Sequence, residues 1–458
     1  MNSELINKTI FGKYKVGKNL GKGSFGSVFK GKNIVTNEMV AIKVEDWKTG
    51  SKILESEAYF LFYLKNFGIP EIKSFGTFKK YKIVSCTPAI YSAGGVERVV
   101  TVKASHFAEH LGYEVSIIVT EGRARESYFP LSDKVEVINF ELGFEDLWKA
   151  SFLKKILIYL RKQRQFKQML AAELMRIRPD FTISTLRREI NFLNSIKDGS
   201  VKLGELHVNR ANYRSMANAN PLKKLFSFFW MKSLIGHLKN LEKMVVLTDS
   251  ALGDWPELDN VIKIPDPLPF RIDVLSNLQK KRVVSIGRYE YDKGNDLLLQ
   301  VWAKVEKLCP DWRLDVYGMG NRAPYELLKS QLGIDTDRCG LHGPVSDVQE
   351  EYRGSSVFVL PSRFEGFGLV LIEAMACGVP VISFDCENGP RTIISDGVDG
   401  FLIPAFDVDS YAEKLVKLMQ NPSLCESMGK NARRSAEKYD IDGIASRWKE
   451  LFAELKGR

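Results

Sequence analysis

From Lys82 onward the chain alternates short apolar runs with longer stretches whose apolar residues recur at helical spacing. Short apolar runs closed by Gly, Pro or polar residues predict strands, and the stretches between them predict helices. The predicted strands are Lys82–Cys86, Glu114–Thr120, Val135–Phe140, Phe181–Ser184 and Met244–Thr248, followed by Val283–Ile286, Arg313–Tyr317, Val357–Pro361 and Val379–Phe384. Strands separated by helices predict doubly wound parallel sheets, and a second such group starts near Lys281. Another strand end is predicted at Gly204-Glu205-Leu206, just before His207.

Before Lys82 the pattern is different. Leu20–Val28 reads LGKGSFGSV, a Gly-x-Gly-x-x-Gly turn between strands, where backbone amides can approach phosphates closely. Val40-Ala41-Ile42-Lys43 is a further strand, and Lys52–Leu64 has helical spacing with Glu55 on it. These residues resemble the small lobe of a protein kinase, most like casein kinase 1. The resemblance implies ATP contacts from Gly21, Gly23, Gly26 and Lys43, with Glu55 pairing Lys43. It stops near Tyr81, and no H-R-D-x-x-x-x-N, D-F-G or A-P-E follows. Phosphoryl transfer needs the base and magnesium ligands of those motifs, so an inert remnant or a vestigial ATP site is expected, not a kinase.

Composition narrows the partners. A chain of 458 residues, 45% hydrophobic and 27% charged, is globular and long enough for two or three domains. No run approaches the roughly 18 apolar residues of a membrane span, and MNSELINKTI has no apolar signal core. Six cysteines without a C-x-x-C pair read as reduced packing residues, so a cytoplasmic protein is expected. A net charge of +10 implies an anionic partner. Residues 1–81 hold 14 Lys, 7 acidic residues and no Arg, which marks them as a segment of separate origin.

The richest chemistry lies in Arg363–Pro380, RFEGFGLVLIEAMACGVP. Glu365 sits in a loop with Gly366, Phe367 and Gly368, and Glu373 falls eight residues later on a predicted helix. Gly368 frees the backbone at the helix start, and Gly378-Val379-Pro380 ends the helix. About two helical turns of spacing lets two carboxylates address one ligand, and the helix N-terminus beside them favours a diphosphate. Upstream, Gly287-Arg288 closes a strand and Asp292-Lys293-Gly294 follows, two cations near one strand end. In the other half, the first strand leads through Gly94-Gly95 into a helix, leaving bare amides.

Together these motifs resemble the retaining glycosyltransferases of family 4, with the GT-B fold: two Rossmann-like doubly wound α/β domains facing a crevice. The preceding kinase-like segment is α+β. The resemblance covers Lys82 onward and implies residues 82–268 as the acceptor domain and 269–440 as the donor domain. Residues 441–458 then form a helix returning to the first. It places Arg288 and Lys293 on the donor diphosphate, Glu365 on the donor sugar and Glu373 on the ribose. Gly94, Gly95, Gly366, Phe367 and Gly368 line the donor site, and His207 lies near the reacting sugar. No metal is assigned, because the two cations can neutralise the diphosphate and the other four histidines make no ligand spacing with His207. No cofactor is expected beyond the nucleotide-sugar co-substrate. Two positions depart from the pattern: Asp266 stands where Asn is commoner, and Thr392 where G-P-R-E is usual.

Trp148–Leu170 carries seven Lys/Arg and no acidic residue among Trp, Phe, Leu, Ile and Tyr, and Leu222–Lys239 is similar. A basic amphipathic helix suits an anionic membrane surface, so peripheral attachment to the inner face of the cell membrane is expected. Nucleic acid is not, since no recognition module accompanies the charge. The function implied is transfer of a hexose or N-acetylhexosamine from a nucleotide-diphosphate sugar, UDP foremost, to a lipid-linked or polysaccharide acceptor. The alternative is a kinase-like regulatory or scaffolding protein that carries a glycosyltransferase-like domain.

Overall fold

The computed structural model describes residues 9–10, 14–23, 26–34, 39–44, 80–122, 125–144, 152–208, 210, 221–272, 274–345, 347–386 and 388–457. The chain groups into two compact units. Residues 1–81 and 107–114 form one, and residues 82–106 and 115–458 the other.

In the first unit β1 (Thr9–Ile10), β2 (Tyr14–Gly23), β3 (Gly26–Asn33) and β4 (Met39–Val44) make an antiparallel sheet in that order. Along β3 burial alternates, with Phe29 and Gly31 inside and Lys30 and Lys32 outside, the period of a half-buried strand. Gly23 and Gly26 face each other across the predicted glycine turn. Lys43 lies opposite Val28. Glu55 lies outside the described residues, as does the side chain of Lys43, so the ATP contacts expected of this segment rest on undescribed groups.

The second unit holds two sheets. The first contains β5 (Lys82–Thr87), β6 (Glu114–Val119), β7 (Val135–Asn139), β8 (Phe181–Ser184), β9 (Val201–Glu205), β10 (Lys243–Val246) and β11 (Val261–Lys263). Its spatial order is β11-β10-β9-β8-β5-β6-β7. The second contains β12 (Arg282–Ile286), β13 (Arg313–Tyr317), β14 (Cys339–His342), β15 (Val357–Leu360), β16 (Val381–Phe384) and β17 (Gly400–Ile403). Its order is β14-β13-β12-β15-β16-β17, parallel throughout. In both sheets the chain builds outward in one direction, then crosses back past its first strand, which is the doubly wound pattern. Every residue of β8, β15 and β16 is buried; β15 (Val-Phe-Val-Leu) reads as a continuous apolar run for that reason, while β8 and β16 bury Thr182, Ser184 and Ser383 among their apolar residues.

Several predicted strand ends shift by one residue, and two shift by two residues for local reasons. β10 stops at Val246 because Thr248 caps the next helix, its side chain accepting the Ala251 N–H at 3.2 Å. β16 starts at Val381, after Gly378 turns at φ 77° and Pro380 offers no N–H. The unpredicted strands β11, β14 and β17 are three or four residues long, and the last two contain glycine.

Helices that position the site are α1 (Gly95–Glu109), α2 (Phe152–Ile177), α3 (Pro221–Lys239), α4 (Asn295–Leu308), α5 (Val348–Arg353), α6 (Leu369–Ala376) and α7 (Ile441–Gly457). α7 packs back on the first sheet: Phe452 meets Phe181 with ring centroids 4.4 Å apart, and Lys456 pairs with Asp180 at 3.1 Å. Such a ring pair adds about 0.5–1.5 kcal/mol beyond the area it buries. Among the described residues no helix is long and apolar enough to cross a membrane. All six cysteines are buried and unpaired, in keeping with packing roles.

Candidate functional site

The second sheet reverses its winding between β12 and β15. At such a reversal the following loops part and leave a crevice beyond the strand ends. Gly287 follows β12, and a side chain on Gly318, beyond β13, would lie 1.9 Å from the Gly287 carbonyl. The chain then passes through Tyr291–Lys293 to Gly294, at φ 65°, where an added Cβ would sit 2.0 Å from the Pro361 carbonyl beyond β15. Only glycine permits that approach, and it carries Lys293 onto the loop after β15. There Lys293 Nζ donates to Glu365 Oε1 at 2.7 Å, and Ser362 Oγ donates to the same oxygen at 2.7 Å. Arg363 clamps the loop by a two-pronged pair with Asp296 of α4, 2.7 Å on each arm. Gly366, Phe367 and Gly368 complete the loop. Gly368, at φ 94°, caps α6, and Phe367 is buried against Tyr439.

The other predicted residues have different surroundings. Arg288 stands at the rim, half exposed, near Glu290 (3.2 Å) and Asp292 (3.6 Å), whereas Lys293 pairs with Glu365. Glu373 lies on α6 and is fully buried. Its Oε1 accepts from Arg98 Nη1 at 2.7 Å, and its Oε2 from the Tyr352 hydroxyl of α5 at 2.9 Å. Burial pushes the Glu373 carboxyl above its ordinary range, with Arg98 and Tyr352 opposing that rise. Glu365 and Glu373 therefore have separate partners in this structure.

The opposite wall comes from the first sheet. Gly94 precedes α1 and its carbonyl accepts the Arg98 N–H at 3.1 Å. Space beside Gly95 is open, while a Cβ on Gly94 would meet the Glu97 carboxylate. Arg98, one turn along, crosses to Glu373 between the rings of Phe129 and Phe270, each 5.2 Å from its guanidinium carbon. His207, beyond β9, meets the loop after β15: a Cβ on Gly366 would lie 2.1 Å from the His207 carbonyl. Two carboxylates flank its buried ring, Glu205 3.6 Å from Nε2 and Asp266 3.5 Å from Nδ1. Burial favours the neutral ring, but Asp266 and then Glu205 outweigh it and raise the His207 pKa to about 9. Burial would raise Glu205, yet Lys103 of α1 and His207 bring it down to about 2. Lys103 in turn contacts Glu205 and lies 4.7 Å from the centre of the Trp448 ring.

Glu205, His207 and Asp266 bring one ligand atom each within 4.8 Å of the others, a spacing a divalent cation can use. The ring gives a different nitrogen to each carboxylate, however, and one cation takes only one nitrogen of a ring. Glu205 thus faces Nε2 and Asp266 faces Nδ1, a carboxylate on each side of the ring.

Comparison with known proteins bears on the fold and on the proteins this chain is similar to. Residues 270–435 match the family model for Glycosyl transferases group 1, and this span contains Arg288, Lys293, Glu365 and Glu373. The chain is 29% identical over 371 residues to an uncharacterized glycosyltransferase of Haemophilus influenzae, covering 79% of this chain and 97% of that relative. It is 25% identical over 384 residues to the amylovoran biosynthesis glycosyltransferase AmsD of Erwinia amylovora, covering 81% and 99%. Its structure is similar to that of Staphylococcus aureus TarM, solved with fondaparinux, α-GlcNAc-glycerol and UDP. The TM-score is 0.65 at 16% identity, over 81% of this chain and 99% of TarM. The fold is GT-B.

Several neighbours of the site were not singled out from the sequence: Arg98, Tyr352, Ser362 and Lys103. Asn388, at φ 76°, accepts from Ser250 Oγ at 2.7 Å and so ties the loop after β16 to the first sheet's half. Arg98 lies three residues after Gly95 in the first turn of the helix, and that placement is the signal the sequence offers.

Proposed function

We propose that residues 82–458 transfer a hexose or N-acetylhexosamine from a nucleotide-diphosphate sugar, UDP foremost, to a polysaccharide or lipid-linked acceptor, with retention at the anomeric carbon. The observation that carries the reading is the Lys293–Glu365 pair, seated at the switch point of the second sheet and facing the His207 wall. TarM, with UDP in its solved structure, and AmsD, named for amylovoran biosynthesis, support the donor class and the polysaccharide acceptor.

In this reading Lys293 and Arg288 hold the diphosphate. The bond between the anomeric carbon and the phosphate oxygen breaks, and fixed cations stabilise the charge that grows on that oxygen. The acceptor oxygen bonds the same face of the anomeric carbon, and its proton passes to the departing phosphate. Glu365 orients the sugar through its hydroxyls, and the Gly94-Gly95 turn lines the crevice. Glu373 takes the ribose diol in place of Arg98, exchanging one charge-assisted bond for two hydroxyl donors. A second reading of Glu373 follows from its burial: Arg98, Glu373 and Tyr352 tie the two halves together without touching the donor.

The acceptor side includes a membrane face. α2 exposes Ile156, Leu157 and Leu160 beside the exposed cations Lys154, Arg161, Arg164 and Lys167, and α3 exposes Phe228 and Phe229. An anionic lipid surface complements that mixture of cations and apolar side chains. Lys162, on the same helix, is excluded from the set, because its ammonium donates to the Leu142 and Gly143 carbonyls.

The test is a panel of nucleotide-diphosphate sugars offered with bacterial polysaccharide and lipid-linked acceptors, reading nucleoside diphosphate released. Release that requires both a donor and an acceptor, and that Lys293→Ala abolishes, is expected. Absence of release from every donor would overturn the reading.

A further inference from the structure

The interior wall beside the crevice contains four charge-bearing side chains in a row: Lys103, Glu205, His207 and Asp266. All four are buried, and they come from α1, β9, the segment after β9 and the segment after β11. Buried charges persist only when paired, because each loses its hydration. With a neutral His207 the row sums to one uncompensated negative charge. With a doubly protonated ring it runs plus, minus, plus, minus and sums to zero. Among the described residues neither ring nitrogen of His207 has a hydrogen bond with good geometry, nor has Asp266 Oδ1, and the ring's close polar neighbours there are the two carboxylates. Asp266 stands between Pro265 and Pro267, which restrict the backbone on both sides of it. Asparagine at this position would offer no charge.

We propose that Asp266 is a positioning residue for the transfer step: with Glu205 it holds His207 as a fixed, doubly protonated cation, so that His207 does not serve as the base that deprotonates the acceptor. The proposal rests on the glycosyltransferase reading of the crevice. Its consequence is mechanistic. A ring carrying protons on both nitrogens has no lone pair for the acceptor proton, which leaves the departing phosphate oxygen to receive it. Among the described residues the charged groups that face the ring are Glu205 beside its own strand and Asp266 from the neighbouring segment, with Lys103 acting through Glu205. The loop after β15 presents the Gly366 backbone to His207, while the Glu365 carboxylate is bonded to Lys293 and Ser362.

The experiment is ring ¹⁵N NMR on the full chain labelled at histidine. The chain has five histidines, and His207→Gln identifies the signal. Both ring nitrogens of His207 should be protonated at neutral pH and stay so until the pH nears 9. In Asp266→Asn the ring should lose its second proton about one to two pH units lower. The alkaline limb of the transfer rate should move down with it, without a matching rise in donor KM. A singly protonated ring in the unmodified protein at neutral pH would overturn the proposal. So would a titration unchanged by Asp266→Asn, or a stoichiometric divalent metal in the purified protein. If Asp266→Asn fails to fold, the spectrum of the unmodified protein still decides. The spectrum needs no substrate, so a protein inactive with every donor but carrying the charged ring would refute the transferase reading alone.

Discussion

Lys293 and Glu365 neutralise each other at 2.7 Å, and in the proposed reaction each would exchange part of that bond for donor atoms. Lys293→Ala is expected to lower kcat by about two orders of magnitude, the scale of losing a donor aimed at developing charge. Steady-state kinetics on the best donor checks this, and an unchanged kcat would remove Lys293 from the chemistry. For Glu373 the two readings separate. If ribose displaces Arg98, Glu373→Gln should lower kcat/KM for the donor by ~10–100-fold, whereas Arg98→Ala should leave donor KM unchanged or lower it. A purely structural tie predicts loss of stability in both variants with donor KM unmoved. His207 adds a prediction in pH. Its pKa is raised from 6.5 to about 9, so the stability from its ion pairs is complete below 6.5 and is lost as pH climbs through 9. Urea midpoints should fall over that range, and His207→Gln should flatten the fall. At this scale the sequence revealed residue types but not partners. Arg98 and Glu373 are 275 positions apart, and no local pattern carries a contact of that range.

Among the elements, the loops after β12 and β15 depend on glycine. Gly294→Ala would place a methyl group 2.0 Å from the Pro361 carbonyl at a left-handed φ, moving Lys293 away from Glu365. It should cost at least about 1–3 kcal/mol of stability, read by thermal or urea unfolding, and lower transfer as well. The exposed face of α2 makes a separate prediction. Each exposed cation contributes about 1 kcal/mol at an anionic surface, screened by salt. Binding to acidic liposomes should weaken steeply as salt rises, and changing Lys154, Arg161, Arg164 and Lys167 to Gln should weaken it further. Salt-insensitive binding, or none, would argue for a soluble acceptor. Strands such as β15 were legible because burial on both faces leaves a continuous apolar run, and others such as β8 because short β-branched and aromatic stretches lie between helical patterns. β11, β14 and β17 were not, being three or four residues long and held by their neighbours more than by their own pattern.

For the whole molecule, two sheets with the same winding order place their strand ends on opposite sides of one crevice, as alternating strands and helices implied. The change in composition near Tyr81 coincides with the end of the first unit's main segment, although that unit also takes in residues 107–114 from beyond the boundary. That addition was invisible in the sequence, because pairing across a unit is set by tertiary packing. Every residue proposed for transfer belongs to the second unit, and Lys43→Met in the first should leave transfer unchanged. The most direct test of the central claim follows the sugar itself. With the best UDP-sugar and its acceptor, proton NMR of the product should show the anomeric configuration of the donor retained, with UDP released in equal amount, and Lys293→Ala should stop both. An inverted product, or UDP release that Lys293→Ala leaves untouched, would contradict the account.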